Sequence, residues 1–324
     1  MAKIFVTRKI PEVGILNLEK AGHTVVVSEK DGVLEREELV SVLKENNPDA
    51  VLCLLTDKID GEIFAAAPQA KIFASYSVGF GHMDLDAAEE HGVTLTNTPG
   101  VLTDTVAEHT IAMMLSITSR ITEGDRFMRD GKYEGWGPMM LLGTDLKGKT
   151  LGILGAGRIG SRVAEIAKKG LGMSIMYYDI KESDFLNSEL DAEFRKEIED
   201  VLTESDVISV HVPLLDSTRG LINMERLSSM KNSAYLINSS RGPIIDENAL
   251  VMALKNKVIK GAALDVYEKE PALASGLIEL ENVVITPHIA SATEETRGKM
   301  SDMAAKNIIA FLNGETPPNA VEKK

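Results

Sequence analysis

Residues 150–160 read TLGILGAGRIG. An apolar run ends in Gly155, Gly157 and Gly160, the spacing G-x-G-x-x-G, and a helical pattern follows at once. Strand, tight turn and helix in that order suit a pyrophosphate. Gly155 permits the turn, Gly157 lets the backbone approach, Gly160 lets helix and strand pack closely, and the helix N-terminus offers unpaired N–H groups. The helix leads into SIMYYD, where Asp179 stands 19 residues beyond Gly160 at a strand end. A carboxylate there can accept both hydroxyls of an adenosine ribose and would repel a 2′-phosphate, so NAD is expected over NADP, although Lys181 nearby would soften that exclusion. The plainer alternative is a glycine-rich packing turn followed by a solvated Asp. Strand, helix, strand and acid all in register argue against it.

The same alternation extends both ways. Downstream, VISVHV, AYLINSS, GAALDV and VVITP continue the series. Upstream, KIFV, VGILNLEKAG, TVVV, EELVSVLKENN, AVLCLL and KIFASY give a second βαβ rhythm, hence a second parallel sheet. DLDAAEEHG reads as a helix ended by Gly92, VTLTNT as a strand closing a first unit near residue 98, and Pro99-Gly100 as a break. From Leu102 to Met128 the helical pattern is unbroken and apolar on more than one side, which predicts a helix bridging domains or subunits. The segment from Ser291 to about Leu312 reads as a helix with a capping box, Ser291-x-x-Glu294, returning to the first unit. The expected architecture is α/β: two parallel-sheet domains flanking a cleft, residues 1–98 with 288–324 and residues 99–287.

Bulk properties agree. A chain of 324 residues exceeds the roughly 250–300 at which single cores stop growing. A formal charge of −14 with no basic patch argues against nucleic acid. The start, MAKIFVTRKI, lacks a signal-peptide apolar region and no run nears the ~18–20 apolar residues of a membrane helix, so a cytoplasmic protein is expected. The single cysteine, Cys53, lies in an apolar run and reads as a core thiol. None of the six histidines is paired with another at metal-ligand spacing, so no metal is expected.

Reducing a carbonyl by hydride requires a group to hold the substrate, a group to polarise the oxygen and an acid to protonate it. His288 directly follows VVITP, at the carboxyl edge of a strand, where open α/β sheets bind ligands. Arg241 follows AYLINSS in the same way, and a guanidinium there can meet a carboxylate with two hydrogen bonds. Glu270, in YEKEP after GAALDV, can pair with His288 and fix its tautomer. Taken singly, each also has an ordinary structural reading.

Together with YSVGFGHMDLD, NTPGVLTDTVAE, HVPLLDSTRGLI, INSSRGPIIDENAL, AALDVYEKEP and TPHIASAT, in that order, these features make the chain resemble the D-isomer-specific 2-hydroxyacid dehydrogenases, most closely the glyoxylate/hydroxypyruvate reductase branch. The resemblance implies two Rossmann-like or flavodoxin-like domains and NADH-dependent reduction of a small 2-oxo acid to the D-2-hydroxy acid. By it Arg241 orients substrate, His288 is the general acid/base and Glu270 its partner. Val78 and Gly79 offer backbone N–H groups to the substrate carboxylate, and Trp136 lies near the pocket or at a subunit interface. Asp265 holds the nicotinamide carboxamide, and His211, Val212, Pro213 and Thr218 flank the dinucleotide. Thr105, Arg158, Ile159, Ser239, Ser240 and Ala290 complete the expected cofactor contacts, with Arg241 and His288 shared. A homodimer is expected through the long apolar helix. D-lactate or other D-2-hydroxy acids remain alternative substrates, and an NAD(H)-sensing corepressor-like role is the alternative to an enzyme.

Overall fold

The computed structural model describes residues 1–322. The chain forms two compact units, Met1–Leu102 with Ala292–Lys324 and Thr103–Ser291. The divisions fall a few residues later than the expected 98 and 288, so His288 belongs to the second unit together with Arg241 and Glu270.

In the first unit, strands β1 (Lys3–Val6), β2 (Thr24–Val27), β3 (Ala50–Cys53), β4 (Ile72–Ser75) and β5 (Thr94–Thr96) are all parallel, in the order β2-β1-β3-β4-β5. Helices α1 (Glu12–Lys20), α2 (Arg36–Asn46), α3 (Gly61–Ala66) and α4 (Leu85–His91) make the crossovers that parallel pairing demands. Every residue of β3 and β4 is buried, which is why AVLC and IFAS show no alternation. Cys53 lies there fully buried, and burial pushes its thiol well above the usual range. Gly92 ends α4 in the left-handed conformation, φ +63°.

The second unit opens with α5 (Thr103–Thr118) and α6 (Ile121–Arg129). The expected continuous helix is thus broken. The Thr118 carbonyl accepts the N–H of Thr144 (2.8 Å), and Arg120 turns to φ +56°. Most apolar side chains of α5 are buried within the unit, including Val106, Ile111, Met113, Met114 and Ile117. The apolar surface instead belongs to Ile121, Met128, Trp136 and Met139 beyond the break.

There follow β6 (Thr150–Leu154), α7 (Arg158–Leu171), β7 (Ser174–Tyr178), α8 (Asp184–Leu190), β8 (Glu193–Arg195), α9 (Ile198–Glu204), β9 (Val207–Val210), α10 (Met224–Ser229), β10 (Tyr235–Asn238), α11 (Glu247–Lys255), β11 (Gly261–Leu264) and β12 (Val283–Ile285). The sheet is parallel throughout, in the order β12-β11-β10-β9-β6-β7-β8. Strand order reverses between β6 and β9, and in such sheets ligands bind outside the carboxyl ends at the reversal.

The last helix, α12 (Glu294–Leu312), is capped by Thr293, whose side chain accepts the Thr296 N–H at 3.2 Å. The Ser291 capping box does not form, because Ala292 and Thr293 are not helical and the helix begins only at Glu294, where Thr293 takes the cap. α12 does return to the first unit. Ser301 Oγ accepts the Gly14 N–H (3.1 Å) and donates to the Pro11 carbonyl (2.6 Å). Among the described residues no helix is long and apolar enough to cross a membrane.

Candidate active site

The glycine turn sits where β6 ends. Gly155 has φ +99°, and a Cβ there would meet His211 C and Val212 N at 2.8 and 2.7 Å, so the turn fits only a glycine beneath the end of β9. A Cβ on Gly160 would overlap the Gly155 carbonyl oxygen. Gly157 is different: nothing lies within 4 Å of its missing Cβ, which leaves open space in front of the first turn of α7. Arg158 and Ile159 form that turn. Asp179, just past β7, accepts the Ala156 N–H with Oδ2 at 2.6 Å, which fixes the acid beside the glycine loop. These residues fit a dinucleotide: a helix start with open space before it and an anchored carboxylate one strand away.

Arg241, Glu270 and His288 follow β10, β11 and β12, three adjacent strands of the same sheet. His288 Nδ1 lies 2.8 Å from Glu270 Oε2, and Glu270 Oε1 accepts the Tyr267 N–H at 3.1 Å. Burial pulls the Glu270 carboxyl upward, but the His288 hydrogen bond, the Tyr267 N–H and the charge of Arg241 outweigh it and hold the group below the usual carboxylate range. Burial lowers the Arg241 guanidinium from its ordinary value, and Glu270 opposes that shift. The Arg241 turn is set by Asn238, which accepts the Ser240 N–H (3.0 Å) and donates to the Arg241 carbonyl (3.0 Å).

His288 is held in the left-handed region, φ +54°, a conformation that costs a non-glycine residue free energy and needs support. Asp265 supplies it. Its carboxylate, fully buried, accepts from Thr286 Oγ1 (2.6 Å), Ile289 N (2.9 Å) and Ala290 N (2.8 Å), and its carbonyl accepts the His288 N–H (2.9 Å). Burial raises this carboxyl, yet those donors and the imidazole of His109, 3.6 Å away, hold it low.

In the first unit, the loop after β4 has its carbonyls tied back. Thr98 N donates to the Ser77 carbonyl (2.8 Å), Asn97 Nδ2 to that of Val78 (2.7 Å) and Ser77 Oγ to that of Gly79 (2.6 Å). The Val78 and Gly79 N–H groups find no partner among the described residues.

The model of the D-isomer specific 2-hydroxyacid dehydrogenase NAD binding domain matches residues 111–290, more than half of the chain. A glyoxylate reductase of Thermofilum pendens is 47% identical over 324 residues, covering 99% of this chain and 95% of that one. The chain belongs to the D-isomer-specific 2-hydroxyacid dehydrogenase family. It is a dehydrogenase of the family's glyoxylate reductase branch, with a nicotinamide cofactor and a 2-oxo or 2-hydroxy acid as the reacting pair. A crystal structure of a Thermus thermophilus protein superposes with a TM-score of 0.92 at 40% identity, covering 99% of this chain and 100% of that one. An NADPH-dependent glyoxylate/hydroxypyruvate reductase from Sinorhizobium meliloti, solved with citrate, superposes with a TM-score of 0.85 at 30% identity, covering 99% and 98%.

For the remaining residues expected of this dehydrogenase family, the structure gives particular surroundings. His211 Nε2 faces Ser209 Oγ (2.8 Å), and burial pushes the imidazole down to about 4. Val212 and Pro213 follow it, and Thr218 Oγ1 donates to the Pro213 carbonyl (2.6 Å), which closes that turn. Ser240 Oγ donates to the Val212 carbonyl (2.7 Å), and Ser239 Oγ meets Thr110 Oγ1 (2.7 Å). Thr105 lies in the first turn of α5, and Trp136 stands 80% exposed. Asn238, His109 and Glu247 were not singled out by the sequence. Asn238 bonds within its own turn, whereas His109 lies 177 residues from Thr286 and Glu247 lies 21 and 27 residues from Glu268 and Ala274, so that only folding brings those groups together.

Proposed function

We propose that this chain reduces a small 2-oxo acid, with glyoxylate and hydroxypyruvate favoured, to the D-2-hydroxy acid using NADH, and that in reverse it oxidises that product. The observation that carries the reading is the His288–Glu270 contact of 2.8 Å beside Arg241 on one sheet edge. Glu270 occupies Nδ1, which leaves Nε2 of His288 to give a proton to the carbonyl oxygen or to take one from the hydroxyl. Arg241 holds the substrate carboxylate with its fixed charge, and Val78, Gly79 and Trp136 are assigned to substrate from the family resemblance. When bound, a reduced nicotinamide supplies the hydride to the carbonyl carbon. The glycine turn would hold its pyrophosphate, and Asp265 its carboxamide once the donors now on its carboxylate are shared. The carboxylate of Asp179 supports NAD over NADP by repelling a 2′-phosphate.

The test is a plate of NADH and NADPH against glyoxylate, hydroxypyruvate, pyruvate, phenylpyruvate and 2-oxoisocaproate, with Arg241→Ala and His288→Asn alongside. Turnover of the two smallest hydroxylated or aldehydic acids with NADH is expected, with losses of at least ~10² in either variant. Preference for aromatic or branched acids, or equal rates with NADPH, refutes the finer assignment. The exposed apolar side chains at Ile121, Met128, Trp136 and Met139 support a homodimer. A monomeric mass by light scattering removes it.

A further inference from the structure

Glu247 opens α11, one residue after the N-cap Asp246. An acidic residue there is ordinarily an exposed partner of the helix dipole. Glu247 is instead 4% exposed, and a carboxylate is buried only with donors to satisfy it. The donors come from another part of the chain. Oε2 accepts the N–H of Glu268 and Oε1 the N–H of Ala274, both at 2.9 Å. Glu247 N–H in turn faces Glu268 Oε2 at 3.3 Å. The two clamped amides bracket residues 269–273, a turn closed on itself by the Ala272 N–H to the Lys269 carbonyl (2.8 Å). Glu270 is carried on that turn. A few residues earlier, Gly242 packs against the backbone of Tyr267 and Glu268 with no room for a Cβ. The segment after Arg241 and the segment carrying Glu270 are therefore joined by backbone contact at Gly242, by the Glu247 carboxylate and by the Glu247 N–H to the Glu268 carboxylate.

We propose that Glu247 is a positioning residue for proton transfer, acting through Glu270: by holding both arms of the 268–274 turn it keeps Glu270 within hydrogen-bond reach of His288. The proposal rests on Arg241, Glu270 and His288 being the reacting set. Two N–H donors converge on two acceptor oxygens, so a glutamine of the same volume satisfies one and turns an NH2 donor toward the other. Loss of the clamp affects the transition state, where His288 must deliver its proton, more than ground-state binding.

The experiment compares Glu247→Gln, Glu247→Asp and His288→Asn with the wild type, with glyoxylate and NADH. It measures kcat, both KM values and the primary isotope effect from NADH deuterated at the transferred position, with rates normalised to sites titrated by NADH fluorescence. Glu247→Gln is expected to lose on the order of tenfold in kcat, short of the ~10² to 10⁴ of a whole acid–base group. Both KM values should stay within about twofold, and the isotope effect should rise as chemistry becomes slower than product release. Glu247→Asp, which keeps two oxygens on a shorter stem, should fall between. If Glu247→Gln is insoluble, Glu247→Asp decides alone: lowered kcat with a raised isotope effect supports the proposal, and wild-type values of both overturn it. A loss confined to titratable sites or melting temperature, with kcat per site and isotope effect unchanged, makes Glu247 merely structural and also overturns it. If His288→Asn turns over like wild type, the reacting set itself is wrong. If His288→Asn is inactive while Glu247→Gln is normal, only the positioning role falls.

Discussion

Gly242→Ala puts a methyl group where the structure has none to spare. The new Cβ would overlap the carbonyl carbon and oxygen of Tyr267 and lie 2.5 Å from Glu268 N. These are backbone atoms inside a packed unit and cannot rotate aside as a side chain can. Overpacking of this kind costs about 1–3 kcal/mol. For a unit the size of Thr103–Ser291, each kcal/mol lowers the melting temperature by roughly 2–4 °C, so a fall of about 2–12 °C is expected. The expected relief is for the short 3₁₀ turn Gly242–Ile244 to back away from Tyr267 and to carry Arg241 away from Glu270. Thermal melting by circular dichroism and steady-state kinetics with the best 2-oxo acid read the two consequences. KM for the oxo acid should rise and kcat fall together. Melting and kinetics both equal to wild type would refute the close approach, and a lowered melting temperature with unchanged kinetics would refute the link between the two segments.

Two further outcomes follow from groups around the same sheet edge. Asp265→Asn places an NH2 group opposite either the Ala290 N–H or the Thr286 and Ile289 donors, leaving at least one buried donor unpaired. It should cost about 1–3 kcal/mol by denaturant melting and on the order of tenfold or more in kcat as the His288 backbone loosens; a variant as stable and active as wild type would show that the carboxylate does not hold that loop. His211, pushed down to about 4 by burial, favours the unfolded chain in acid. Between the ordinary value near 6.5 and about 4 the unfolded state binds the extra proton, so its contribution is complete above the upper limit and is lost as pH falls through this window, by at most about 3 kcal/mol. Denaturant melts at pH 7 and pH 5 should show a smaller acid loss for His211→Gln than for wild type; equal losses would remove His211 from the acid response.

Much of this was legible because parallel strands buried on both faces announce themselves as short apolar runs, and because the glycine spacing sits in its proper context between β6 and α7. TLGIL, SIMYY, YLIN and GAAL all lie where the pattern placed them. Elsewhere local pattern met non-local chemistry. Residues 102–128 carry an unbroken helical period, yet the Thr118 carbonyl is taken by Thr144, and nothing within the run foretells that. Ser291-x-x-Glu294 satisfies a capping rule, but the two residues after Ser291 stay out of the helix and Thr293 takes the cap. The short strand β8 and helices α8, α9 and α10 are too brief to stand out from their polar surroundings. Arg241, Glu270 and His288 were findable from their places after three strands. Glu247 was not, since an acid in a first helical turn is commonplace and its two partners lie 21 and 27 residues on.

The return of α12 to the first unit also orders events during synthesis. One apolar cluster joins Ile4, Leu18, Ile72 and Ala74 from the first half of the chain to Met300, Ala304 and Ile308 from α12. The second unit is continuous from Thr103 to Ser291 and has every strand of its sheet once residue 285 has left the ribosome. The first unit has all five of its strands much earlier, but the face on which α1 packs through Leu18 is covered only in part until α12 adds Met300, Ala304 and Ile308. A growing chain therefore finishes its middle before its beginning, and the earliest-made sheet is the surface that chaperones or neighbouring nascent chains meet until the final helix covers it.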